Sequence, residues 1–253
     1  MNIGLQLYTI REALAGADAD RAAQVLHTVA DIGYRAVELY GRLDNMTILA
    51  EGARRAGLDV VGTVCGVDLF HDIDGVLQLC DRFGLRQMGI SGARSRSNTH
   101  ADSVTDADRR IDEINRIGAQ LAAHGVVLAY HNHDFEFERL NENTTFWNRM
   151  TERFDENVKF VLDTYWVQRA GGDVRRWIDV LGSRIVTLHL KDMVHINGNV
   201  TYAEIGRGNL WWDGILPQAK AAGVRHFVVE QDACAGDPMD SIRISLSYLQ
   251  SKL

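Results

Sequence analysis

The chain has 253 residues, 46% of them hydrophobic and 24% charged, and carries a formal net charge of -7. This composition is ordinary for a globular protein and argues against disorder, and the length is that of one barrel of eight strand–helix units. The acidity argues against nucleic acid as a partner, because phosphate backbones are held by clustered Lys and Arg.

Ile3 to Tyr8 reads as the first strand, with Met1 and Asn2 leading into it. Apolar residues at helical spacing (Ala22, Val25, Leu26, Val29, Ala30) predict a helix over Ala19 to Ile32, closed by Gly33. Ala36 to Tyr40 is the second strand, Ile48 to Ala56 a helix closed by Gly57, and Leu58 to Val64 the third strand. The alternation continues with a helix over Val76–Phe83 and a strand over Gln87–Ile90, then a helix over Asp106–His124 and a strand over Val126–Tyr130. A helix over Phe146–Arg153 precedes a strand over Val158–Leu162, and one over Val174–Leu181 precedes a strand over Ile185–Leu190. Asp213 to Ala222 is a helix before the strand Phe227–Glu230, and Ile242 to Leu253 is the last helix. About eight strand–helix units with a recurring helix–Gly–strand boundary predict an α/β fold, a single-domain (β/α)8 TIM barrel of parallel strands over residues 1–253. An open doubly wound sheet is the main competitor, and it lacks a GxGxxG after its first strand.

Cys65, Cys80 and Cys234 are odd in number and lack CxxC spacing, which argues against a disulfide framework or structural zinc and fits a reducing compartment. Cys80, among Leu77, Leu79 and Phe83, reads as core. Pro217 and Pro238 are the only prolines, leaving little room for a linker. No basic-then-apolar leader and no membrane-length apolar run is legible, so the expected setting is the cytoplasm, with no membrane partner.

Polar side chains stand where barrel strands should end. Buried strands are apolar along their length, and in barrels a charged residue at the C-terminal end usually belongs to an active site. Here the ends carry Glu38, His131 and His133, Asp163, His189 and Lys191, and Glu230. Side chains alternate along a strand, so Thr187, His189 and Lys191 share one face, while Val186, Leu188 and Leu190 form the apolar set that packs on helices. By the same count Asp163 sides with Val161, Glu230 with Val228, and His131 and His133 with Ala129. His131, Asp163, His189 and Glu230 then converge from four consecutive strands, a donor set that suits Mn, Zn, Co or Fe better than Ca or Mg. Singly, each has a plainer role: a strand-end carboxylate often caps a helix or pairs with a cation, and a lone His is often a hydrogen-bonded core residue.

Six segments resemble the xylose isomerase-like superfamily of sugar phosphate isomerases and epimerases: Gly4–Glu12, Gly33–Leu39, Tyr130–Phe137, Leu162–Trp166, His189–Asp192 and Val229–Asp232. The resemblance implies a metal-dependent isomerase or epimerase acting on a small carbohydrate, by proton abstraction next to a carbonyl through a metal-stabilised enediolate. It implies a divalent metal, manganese first with Zn, Co, Fe or Mg as alternatives, held by Asp163, His189 and Glu230. Relatives supply a Glu on the fifth strand; this chain has His131 in its place, which makes His131 the fourth ligand. Glu230, His133, Lys191 and Glu38 are the candidate catalytic residues. A free imidazole accepts a proton near neutral pH, but one whose lone pair holds a metal does not, and His133 or Glu38 then takes that part.

Lys191 either stabilises a developing enolate or pairs with a carboxylate such as Asp163. Gln6 and Tyr8 either bind substrate hydroxyls or plug the barrel, Trp166 either walls the sugar or packs a loop, and Arg207 in Gly206-Arg207-Gly208 either reaches substrate or sits in an ordinary turn. Val64 stands where relatives often carry His.

The Tyr-His-x-His strand also resembles inosose dehydratases, so a lyase acting on a keto-sugar, keto-glycoside or keto-inositol by the same proton removal is the alternative. A DNA repair endonuclease on this barrel needs a His-rich multi-zinc cluster and a basic face, neither of which is evident. A non-catalytic sugar-binding subunit sits badly with an intact Asp163, His189 and Glu230 set. Homo-oligomers are common among relatives, and Trp147, Trp211 and Trp212 are either contact residues or core.

Overall fold

The computed structural model describes residues 3–92 and 103–252. Eight parallel strands close into a barrel: β1 (Ile3–Gln6), β2 (Ala36–Tyr40), β3 (Asp59–Cys65), β4 (Gln87–Ser91), β5 (Val127–His131), β6 (Val158–Asp163), β7 (Ile185–Leu190) and β10 (His226–Val229), which pairs with β1. The helices include the short α1 (Arg11–Leu14), then α2 (Ala19–Ile32), α3 (Leu43–Arg55), α4 (Ile73–Phe83), α5 (Val104–Ala122), α6 (Phe146–Arg153), α8 (Val174–Leu181), α9 (Trp212–Ala221) and α10 (Pro238–Lys252). No helix among the described residues is long and apolar enough to cross a membrane.

The main core lies between the outer faces of the strands and the helices, where Leu26, Leu39, Leu162, Leu188 and Leu190 are fully buried. Trp147 and Trp212 belong to this core, while Trp211 is 61% exposed. Helix ends follow their capping chemistry: Ser103 accepts the amide of Asp106 at the start of α5, and Gly84 closes α4 in the left-handed conformation with its N–H on Cys80 O.

The departures from the sequence reading have local causes. The first strand stops at Gln6 rather than Tyr8, because the Gln6 side chain accepts the Tyr8 amide (3.1 Å) and turns Leu7–Ile10 into a 3-10 helix. Helix α3 begins at Leu43 rather than Ile48, α4 at Ile73 rather than Val76, and α10 at Pro238 rather than Ile242, proline being suited to a first helical position. Leu253 and the first two residues lie outside the described residues. Val186 does not pack with Leu188 and Leu190. The pairing of β6 with β7 slips between Phe160–Ile185 and Val161–Thr187, and Val186 instead joins Ala129 and Val161 in a small separate cluster.

Two insertions decorate the C-terminal ends of the strands. A short helix α7 (Thr164–Arg169) follows β6 directly, and a hairpin of β8 (Asp192–Ile196) and β9 (Asn199–Ala203) follows β7. Asp192 fastens the segment after the hairpin: its fully buried carboxylate accepts the amides of Met193, Gly206, Gly208 and Leu210 and the indole N–H of Trp212, at 2.7 to 3.2 Å.

Helices α2 and α3 touch at Gly52, where an added Cβ would stand 2.9 Å from Ala22 Cβ and 3.1 Å from its carbonyl carbon. We expect Gly52→Val to push these helices apart and cost about 1–3 kcal/mol in urea unfolding.

Candidate active site

His131 ends β5, Asp163 ends β6, His189 is the penultimate residue of β7, and Glu230 follows β10 with its amide on Leu190 O (3.0 Å). All four are buried, and one potential ligand atom from each lies within 4.8 Å of the other three. Asp163 Oδ2 lies 3.3 Å from His131 Nε2 and 3.9 Å from His189 Nδ1, which in turn is 2.9 Å from Glu230 Oε2. The other oxygen of Asp163 accepts the Trp166 amide (3.1 Å), so one side chain both caps α7 and faces the cluster.

A layer of polar groups holds these side chains. Glu38 Oε2 accepts from Gln6 Nε2 (2.5 Å) and meets His189 Nε2 (2.7 Å), which fixes the ring so that Nδ1 points at Glu230 and Asp163. Asn132 Oδ1 accepts the Asp163 amide (2.9 Å). Thr164 Oγ1 accepts the Lys191 amide (3.1 Å) and donates to the Lys191 carbonyl (2.8 Å), tying β6 to the end of β7. Behind β5, buried Glu136 accepts the Tyr130 hydroxyl (2.8 Å) and the His133 amide (2.6 Å), which sets the turn that carries His133.

The charges are close and dry. Lys191 Nζ lies 2.9 Å from Glu230 Oε2, 3.1 Å from Asp163 Oδ2 and 3.2 Å from Asp232. Burial opposes its charge, but these three carboxylates outweigh burial and hold its pKa well above the usual lysine value. Burial likewise opposes a charged His189, yet Glu38 and Glu230 push its pKa up to about 10. His131 and His133 go the other way: burial, with the neighbouring positive charge, keeps both imidazoles neutral. Burial raises Asp163, whereas Lys191 and His189 overcome burial at Glu230 and keep it ionised.

A cavity of about 420 Å³ opens above this cluster. Of the candidates, Gln6, Tyr8, His131, His133, Trp166, Lys191 and Glu230 line it. Asp163, His189 and Glu38 are fully buried and are not among its lining residues. Arg207 is exposed, outside the lining, in the turn whose flanking amides bind Asp192. Val64 lines the wall. His133 stacks on Phe135 (5.5 Å between ring centroids) and leans on Trp166 (5.0 Å), while its Nδ1 is buried without a protein partner. Asp232, to which the sequence reading assigned no role, also lines the cavity; its spacing of two from Glu230 on a strand-end segment is the signal that points to it.

A profile of the family described as xylose isomerase-like TIM barrel matches residues 26–252. The chain belongs to that family. No curated protein sequence matches it. Among solved structures it is similar to a sugar phosphate isomerase/epimerase from Parabacteroides distasonis, at 21% identity and a TM-score of 0.78 over 98% of this chain and 97% of the other. It is similar to an L-ribulose 3-epimerase, at 15% identity and a TM-score of 0.75 over 100% and 95% of the two chains. It is also similar to the "probable 3-DHS dehydratase AsbF" of Bacillus anthracis, at 13% identity and a TM-score of 0.74 over 99% of each chain. At these identities the likenesses show a shared barrel.

Glu136 gives the scaffold of this family member a pH signature. Burial, the largest influence, pushes its pKa from 4.5 up to about 8 against the bonds from Tyr130 and His133. The folded state therefore binds a proton that the unfolded chain has released, so stability falls as pH rises from about 4.5 to 8. We expect urea titrations to show wild type losing up to about 1.4 kcal/mol more per pH unit in that window than Glu136→Gln.

Proposed function

We propose that the protein is a metal-dependent carbohydrate isomerase or epimerase that removes a proton next to a substrate carbonyl. The observation that carries this reading is the cluster of His131, Asp163, His189 and Glu230 beneath the cavity. Two imidazoles with two carboxylates fit Mn, Zn, Co or Fe, with Mg a poorer match. The pairing of Glu38 with His189 Nε2 supports the same reading, since a carboxylate on the far nitrogen is how ligating histidines are usually oriented. A divalent ion held there would polarise the carbonyl and offset the negative charge that develops when the proton leaves.

The chain's own groups divide the remaining work. His131 directs Nε2 at Asp163 Oδ2 (3.3 Å) and into the cluster, where a metal held there would take its lone pair and leave it unable to accept a proton. Glu38 has one oxygen taken by Gln6 and His189, away from the cavity, and serves to orient. Of the candidate catalytic residues, His133 and Glu230 then face the cavity and are able to accept or return a proton, the first as a neutral imidazole and the second as a carboxylate. Lys191 brings a buried positive charge to the same wall, suited to a substrate oxygen that becomes anionic. Tyr8 and Trp166 offer aromatic surface to the apolar face of a sugar, and Gln6 a polar one.

A lyase is the second reading, favoured by the imidazole His133 and the carboxylate Glu230 lining one cavity, a pair of which one group could remove the proton and the other protonate a departing hydroxyl. Keto-sugars incubated with manganese-loaded enzyme in deuterated water separate the readings. We expect deuterium next to the carbonyl in a product of unchanged skeleton; a product lighter by one water selects the lyase, and absence of exchange with every sugar contradicts both. We expect His133→Ala to lower kcat by about 10²–10⁴-fold with metal content unchanged. For Glu38→Ala we expect metal binding weaker by about 10–100-fold, read by competition with a chelator.

A further inference from the structure

Lys191 shares its partners with the metal cluster. Its Nζ touches Asp163 Oδ2 and Glu230 Oε2, the same two oxygens that face His189 Nδ1. An ammonium and a divalent cation thus compete for the same two atoms. The side chain is 1% exposed, so the ammonium cannot retreat into water. It has one other berth. Both oxygens of Asp232 lie 3.2 Å from Nζ, on the cavity side. Tyr202 of β9 hydrogen-bonds Asp232, and the Trp166 ring centroid lies 5.3 Å from Nζ, a second favourable surface for a cation.

We propose that Asp232 is a positioning residue that draws the Lys191 ammonium off Asp163 and Glu230 when a divalent cation takes their oxygens, and presents it to the cavity. The inference rests on the metal reading above and adds to it. Without the pull of Asp232 the ammonium stays on the ligand oxygens and repels the incoming ion. Without Lys191 no ammonium competes for these oxygens, and Asp232 has nothing to position.

The test is the manganese dissociation constant, measured on the full chain by chelator competition for wild type, Asp232→Asn, Asp232→Glu, Lys191→Met and the Asp232→Asn/Lys191→Met double variant. Asp232→Asn should bind manganese at least about tenfold more weakly, and Asp232→Glu should recover most of that loss. Lys191→Met should bind more tightly than wild type, and in its background Asp232→Asn should change the constant by less than about twofold. Equal weakening by Asp232→Asn in both backgrounds would make Asp232 a direct ligand and overturn the assignment, as would an Asp232→Asn constant equal to that of wild type. Asp232 is partly exposed, so its single variants fold and an unchanged constant in Asp232→Asn overturns the assignment even if Lys191→Met does not fold. A wild type that binds no manganese overturns the metal reading, and this assignment with it; the other two failures leave the metal reading standing.

Discussion

Two carboxylates out of water set the terms for the rest of the barrel mouth. Asp163 is fully buried and Glu230 nearly so. Removing ionised carboxylates from water costs several kcal/mol each unless opposite charge and hydrogen bonds replace the lost hydration. Lys191 and His189 supply that charge, and the Trp166 amide supplies a hydrogen bond to Asp163. The barrel is the frame that makes such convergence possible, because β5, β6, β7 and β10 are adjacent and end on the same rim. His131, from the fifth strand, closes the group with a neutral ring.

The frame is stiff where the site needs it. Second groups hold parts of the cluster: the His189 ring by Glu38, the Asp163 backbone by Asn132, and the end of β7 by Thr164. The bonds of Asp192 stabilise the turn after the hairpin from which Tyr202 reaches Asp232. Such double fixing limits the freedom of the charged groups and is what a preorganised site requires.

Much of this was legible in the sequence. Helices over Ala19–Ile32, Phe146–Arg153 and Val174–Leu181, and strands over Ala36–Tyr40 and Ile185–Leu190, stand where spacing and glycine boundaries put them. Alternation along β7 aimed His189 and Lys191 inward, and the barrel order brought them to Asp163 and Glu230. What stayed hidden depends on contacts remote in sequence or on slips of register. The bulge that turns Val186 away from Leu188 leaves no trace in apolar periodicity. Helix α7 has no glycine boundary before it, since Asp163 is strand end and helix cap at once. The hairpin after β7 is only partly buried and its burial does not alternate along either strand, so it carries no period-two signal. The partnership of Lys191 with Asp232 joins residues 41 positions apart and appears only once β7 and β10 lie side by side.

The pairing of imidazole with carboxylate around a buried ammonium gives the site its character: a cluster that could hold a metal ion, with a neutral His133 and an ionised Glu230 facing the space above it. Metal content is the most direct measure of that character. Elemental analysis of dialysed wild type and of His131→Ala, Asp163→Ala, His189→Ala and Glu230→Ala should find close to one Mn, Zn, Co or Fe per chain in wild type and little in the variants. A wild type that holds no metal and takes up none when it is added, or variants that keep full occupancy, would contradict it.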